Sequence, residues 1–204
     1  MAYPLKLTSK LTGATPSQLH RWRRSGLVVP EVRPYRPPLY SFRDILAIRT
    51  IAFLRAETSA QRVSRAFQAL DLFDLTEHPS RYRFGTDGKT ILVETDDGRA
   101  MDLVDAPGKI EVFPFAEALG LFRNFRDREV RPLDTPAEGI SVRLQRMAGW
   151  PTIEGTRIPY DTIADLVDFE TVRPEDVPHY YPQVSAEQAL QAVDFDRAVE
   201  AVSA

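Results

Sequence analysis

The stretch TPSQLHRWRRSGL, Thr15 to Leu27, sets His20, Arg21, Arg23 and Arg24 around Trp22. Both of its ends read as helix boundaries. Thr15 is a capping residue, Pro16 suits a first turn, and Gln18 stands three places on, where it closes a capping box. Gly26 suits a left-handed stop. Between them Leu19 and Trp22 lie three apart and face inward, so Trp22 is read as core, while Gln18, Arg21 and Arg24 share another face. Just upstream, Leu7 and Leu11 repeat at i, i+4 over residues 5–12, and Gly13 ends that run. Two short helices joined by a glycine turn, the second one basic, predict a helix-turn-helix.

Working outward, VVPEVRPYRPPLY (28–40) holds Pro30, Pro34, Pro37 and Pro38, which exclude helix. Val28-Val29 and Leu39-Tyr40 are expected to pair as a small β-wing with Arg33 and Arg36 near its tip. Ser41 caps a third helix over about 42–56, with Ile45, Ile48 and Ala52 on one face. Ser59 opens a fourth, on Val63, Ala66, Phe67 and Leu70. Arg43 and Arg49 stand on the third helix as candidates for its solvated face.

Beyond residue 80 the composition shifts. Residues 80–115 read as a β-meander, with turn signals at Asp87-Gly88, Asp97-Gly98 and Pro107-Gly108. A helix on Leu119 and Phe122 is expected over 115–126, and the proline-containing REVRPLDTPAEG (128–139) is the candidate linker. The last part reads as two tiny strands around Gly155, a helix over about 160–168, a short one over about 174–181, and a terminal helix opened by the Ser185–Gln188 capping box. The expected class is α+β: a winged helix-turn-helix (1–75), a β-meander plus helix (76–127), a linker (128–139) and a small three-helix, helix-turn-helix-like domain (140–204).

The whole chain is nearly neutral, with a formal charge of −3, but the sign is split. Residues 1–70 hold twelve lysines and arginines against three acids, leaving fourteen against twenty-six for the rest. Such asymmetry points to an N-terminal part that meets a polyanion. With 204 residues, 43% hydrophobic and no cysteine, the chain is ordinary globular material with neither a disulfide framework nor a thiolate metal site. No run is long enough for a membrane span and no signal-peptide pattern occurs, so a cytoplasmic protein without membrane contact is expected.

Enzyme signatures are missing. His20, His78 and His179 lack metal-ligand spacing, and no nucleophile elbow, P-loop or dinucleotide fingerprint occurs. Asp96, Asp97, Asp102 and Asp105 would be the material for a metal-dependent nuclease, but they read better as turn and strand-end acids. The expectation is therefore no enzyme, no cofactor and no metal.

Gln18-Leu19-His20-Arg21-Trp22, followed by Gly26-Leu27, Pro30, Arg36 and Tyr40, resembles the winged DNA-binding domain of the MerR family. That family usually has Arg then Tyr at the His20 and Arg21 places, and Glu where Arg23 stands. The long dimerisation helix of its activators is absent from the pattern, so effector sensing is not implied. Gly149, Pro151, Ile153, the run Gly155-Thr156-Arg157-Ile158-Pro159, Ile163, Tyr181-Pro182, Ser185 and Ala189-Leu190 resemble domain-of-unknown-function family 433. That family is counted among VapB-type antitoxins. Departures are Tyr160, where a small aliphatic is usual, and Asp168-Phe169-Glu170, where glycine commonly stands.

Together these readings imply a sequence-specific DNA-binding regulator. It is expected to dimerise on an inverted-repeat operator and to act as the antitoxin and autorepressor for a PIN-like ribonuclease toxin. A stand-alone transcription factor is the alternative. Recognition helices present N-terminal residues to base edges, while flanking arginines hold phosphate. Ser17, Gln18 and Arg21 are the candidate base readers, and Arg23, Arg24, Arg33, Arg36 and Arg43 the phosphate contacts. Arg157, Arg173 and Tyr180 are the candidate partner contacts, with an internal bridge from Arg157 to Asp161 or Asp165 as the competing role.

Overall fold

A computed structural model describes residues 1–112 and 118–202. The chain opens with β1 (Tyr3–Pro4), α1 (Leu5–Thr12) and α2 (Pro16–Arg24). Thr15 and Gln18 form the expected reciprocal capping box. At the other end Gly26 (φ 73°) donates its N–H to Arg23 O, and Leu27 donates to Trp22 O. That pair of bonds is a Schellman stop, and it requires the left-handed residue between them. Helix α2 buries Pro16, Leu19 and Trp22, fixing which face remains outside.

The wing differs from the expected pairing. β2 (Leu39–Tyr40) pairs antiparallel with β1, Tyr3 opposite Tyr40, rather than with Val28-Val29. Within the wing itself, Arg33 bridges to Leu39 through both backbone bonds. Pro30 and Pro34 leave too few donors for a longer ladder.

Helix α3 (Phe42–Glu57) is central: α1, α4 (Ala60–Ala69), a strand over Phe84–Thr86 and another over Phe122–Arg123 all contact it. It buries Ile45, Ile48, Ile51, Ala52 and Leu54, on more than one stripe, as a helix covered on several sides must. Ser41 and Asp44 cap its start, and Ser59 caps α4.

The meander is a four-stranded antiparallel sheet, β3 (Phe84–Thr86), β4 (Ile91–Glu94), β5 (Ala100–Asp102) and β6 (Ile110–Glu111), in sequence order. Its three connections fall at the three turn signals, each with glycine at positive φ. The helix expected over 115–126 is not formed in the described part, 118–126; residues 115–117 lie outside the described residues. Instead β7 (Phe122–Arg123) and β8 (Glu129–Val130) make a hairpin. The stretch read as a linker contains β8 and buries Val130 and Leu133.

In the last part β9 (Ile140–Ser141) pairs with β10 (Thr152–Ile153). Helices α5 (Tyr160–Leu166), α6 (Val177–Tyr180) and α7 (Ala186–Glu200) follow, α5 packing on α7. The core runs unbroken from α1 to α7. Tyr3 sits between Phe42 and Trp150, with ring centroids 6.2 and 5.2 Å away, and Lys6 reaches Glu200 at 2.6 Å. No described helix is long and apolar enough to cross a membrane.

Where the DUF433-like pattern has glycine, Phe169 takes φ 63°. The Asp168 carboxylate accepts the N–H groups of Glu170, Thr171 and Val172, and the Arg197 guanidinium lies 5.0 Å from the Phe169 ring centroid. These contacts hold a left-handed residue that glycine would adopt freely.

Candidate nucleic-acid interface

The outer face of α2 carries Ser17, Arg21 and Arg24, all exposed, with His20 half-buried beside them. At spacings of three and four they form one stripe opposite Leu19 and Trp22. His20 was not among the sequence-level candidates, although its i+3 spacing from Ser17 was available as a signal. Gln18 sits at the stripe's edge, and its Oε1 is engaged by the Thr15 N–H at 2.9 Å. Only its amide nitrogen is left to read a base.

The other candidate cations divide by what they bond. Arg23 is half-buried: it donates to Pro34 O at 3.0 Å and lies 5.3 Å from the Tyr35 ring centroid. It therefore straps α2 to the wing. Arg33 is exposed and donates to Pro37 O at 2.9 Å, bracing the wing across its own turn. Arg43 is exposed but paired with Glu31, which also accepts from the Ser41 hydroxyl. That pairing holds the Glu31 carboxyl below the usual range, and it raises Arg43. Arg36, at the wing tip with φ 48°, is exposed and makes no ion pair among the described residues.

Arg49, a candidate for the solvated face of α3, is 0% exposed. Its guanidinium donates to Leu11 O (2.6 Å), Ala118 O (2.8 Å), Gly120 O (2.7 Å) and Arg131 O (2.6 Å), with Leu119 O at 3.3 Å. The Phe122 ring lies beneath it, 5.1 Å to the centroid. Burial lowers its pKa to about 10, so it remains a cation at neutral pH. One side chain thus joins the end of α1, the 118–120 segment and the residue that follows β8. Carbonyls some 70 to 80 residues away carry no signature near Arg49 in the sequence.

Glu31, Asp44 and His78 each bring a ligand-type atom within 4.8 Å of the others. Asp44 is buried; its Oδ2 accepts the N–H groups of Glu31 and Ser41, and its Oδ1 lies 3.4 Å from His78 Nε2. With the Glu31 oxygens already taken by Ser41 and Arg43, this cluster acts as a buttress under the wing. Asp102, one of the acids weighed for a nuclease, is buried and accepts from Thr90 and from the N–H groups of Val104 and Asp105. Asp97 pairs with Arg99 at a hairpin tip.

In the last part Arg157 is exposed, with no ion pair to Asp161 or Asp165; Asp161 faces Trp150 Nε1 instead. It lines a shallow cleft together with Arg143 and Arg146. Arg173 and Tyr180 are exposed as well, while Tyr181 packs against the core.

Comparison with known proteins matches residues 3–68 to the MerR HTH family regulatory protein model and residues 140–195 to a protein of unknown function, DUF433. No curated protein matches the chain. Among solved structures, the crystal structure of Rv2018 from Mycobacterium tuberculosis is similar in fold at a TM-score of 0.53. It is 16% identical, over 94% of this chain and 96% of that one. The chain thus carries an N-terminal segment similar to the MerR-type helix-turn-helix and a C-terminal one similar to DUF433.

Proposed function

We propose that this protein is a sequence-specific DNA-binding transcriptional regulator without enzymatic activity. The observation that carries the reading is the outer stripe of α2, Ser17, His20, Arg21 and Arg24, on a helix capped at both ends within a MerR-type helix-turn-helix. Polar and cationic side chains along the outer face of such a helix suit base edges in the major groove, and Arg36 at the wing tip suits an adjacent phosphate. The DNA-reading part is residues 1–75. A helix of nine residues reads few base pairs, so we propose a homodimer on an inverted repeat.

Titrating the full chain against duplex pools at several salt concentrations tests this reading. Binding is expected to be steeply salt-dependent and to select a site; Arg36→Ala weakens all sequences alike and lowers the salt slope by about one. A chain that binds no duplex at low salt ends the proposal.

The finer reading is an antitoxin that neutralises a PIN-like ribonuclease and represses its own operon. It is supported by the DUF433 match, by the acidic balance after residue 70 and by the exposure of Arg157, Arg173 and Tyr180. A nuclease that draws in RNA needs basic surface, which an acidic partner would cover. Residues 140–204 would make that contact. The product of the neighbouring gene should then copurify with the full chain and lose its ribonuclease activity. A neighbour that is no nuclease leaves a stand-alone regulator.

A further inference from the structure

We propose that the β7–β8 hairpin, outside the segment matched to the MerR model, is a second wing that grips the phosphate backbone of duplex DNA beside the start of α2. This rests on the DNA-binding reading above and extends it to a surface from the middle of the chain.

Three observations carry it. First, the hairpin is locked to the turn of the helix-turn-helix. Asn124 Nδ2 donates to Gly13 O at 2.9 Å, and Val130 packs so closely on Gly13 that a Cβ there would lie 2.4 Å from Val130 Cγ2. Arg49 adds a third tie, bonding Leu11 O of α1 and Arg131 O next to β8.

Second, the tip of the hairpin is built rather than loose. Asn124 Oδ1 accepts the N–H groups of Arg126 and Arg128, closing the turn so that both side chains project from a fixed frame.

Third, Arg126, Arg128, Arg131 and Lys10 line one polar cleft of about 460 Å³ together with Gly13 to Pro16, the entry to α2, and Ala198, Ala201 and Val202 at the end of α7. The three arginines are exposed and make no ion pair among the described residues; Glu129 is the single acid in the lining. Four cations converging on a cleft repel one another unless an anion enters. Burial lowers the pKa of Lys10, and the neighbouring Arg131 cation lowers it further. The ends of recognition helices approach the backbone of the groove they read, so the polyanion lies on this side of α2. Guanidinium and ammonium groups around a cleft suit phosphate oxygens rather than a base edge, and these contacts are therefore indifferent to sequence.

The test uses the full chain, comparing wild type, the Arg126→Ala/Arg128→Ala double variant and Arg36→Ala on specific and random duplexes from low to moderate salt. Each phosphate contact contributes about 0.9 to the salt slope, so the double variant should lose about 1.8. Quadrupling the salt should then weaken it about tenfold less than wild type. The loss should be equal on specific and random DNA, with unchanged thermal unfolding because both side chains are exposed. A wild type that binds, with Arg36→Ala impaired but the double variant's slope unchanged, overturns the second wing alone. A wild type that binds no duplex overturns both readings.

Discussion

Replacing Arg49 by Met removes the hub of the molecule while nearly keeping its volume, and the cost can be worked from its bonds. Four of its hydrogen bonds are 2.8 Å or shorter. Each carbonyl left buried without a donor costs about 1–3 kcal/mol, a gross loss on the order of 4–12 kcal/mol. The substitution also removes a buried charge. Burial lowers the pKa of Arg49 from the ordinary arginine value to about 10, which corresponds to about 3 kcal/mol returned. Relaxation and water entry trim the rest, so the net destabilisation should be about 3–5 kcal/mol, the usual range for breaking a buried charged network. Urea unfolding followed by the fluorescence of Trp22 and Trp150 should show a lower midpoint at constant slope. Hydrogen exchange should quicken first in β7–β8, which loses one of its three ties to the end of α1. Arg49→Lys should fall between, since an ammonium lacks the planar fork that reaches several carbonyls at once. A Met variant within about 1 kcal/mol of wild type would refute the idea that this cation organises the fold.

Three further outcomes follow from the geometry. Arg21→Ala should lose about 1–3 kcal/mol on the selected site and less on random duplex; equal losses would make Arg21 a phosphate contact instead. Gly13→Ala places a Cβ 2.4 Å from Val130 Cγ2 at φ +74°, and should cost about 1–3 kcal/mol in chemical denaturation. Adding Val130→Ala relieves the clash but not the backbone strain, so recovery should be partial; full recovery would deny the strain. The Thr171 hydroxyl and then the Val172 N–H hold the Asp168 carboxyl well below the ordinary aspartate value. A depressed acid contributes stability above its unfolded pKa and loses it as pH falls toward the folded one. The stability gap between wild type and Asp168→Ala should therefore narrow between about pH 5 and pH 2, and a constant gap would count against those bonds.

What the sequence made legible was local. Thr15, Ser41, Ser59 and Ser185 announce their helices because a cap and its partner lie within three residues of each other. The three meander turns are legible for the same reason. The partner of β2 is not legible, because Tyr3 lies 37 positions from Tyr40 and two residues leave no periodicity to read. Leu119 and Phe122 keep helical spacing, yet Asn124 closes a tight turn with Arg128 that the spacing could not register. In 128–139 the prolines suggested a linker, but Val130 and Leu133 are buried between distant elements.

Charge was the least legible quantity of all, and the reason bears directly on function. A surplus of nine over residues 1–70 counts every cation alike, while the folded chain sorts them by partner. Arg49 is spent on carbonyls, Arg43 on Glu31, Arg23 on the wing and Lys6 on Glu200. What reaches solvent near α2 is a smaller set: Arg21 and Arg24 on its outer face and Arg36 at the wing tip. Against that reduced set, Arg126, Arg128 and Arg131 are a large addition, though they lie in a part of the chain whose net charge is negative. Segment charge therefore points away from the surface proposed here to face a polyanion. That surface follows from which cations lack internal partners and which elements are bolted to Gly13.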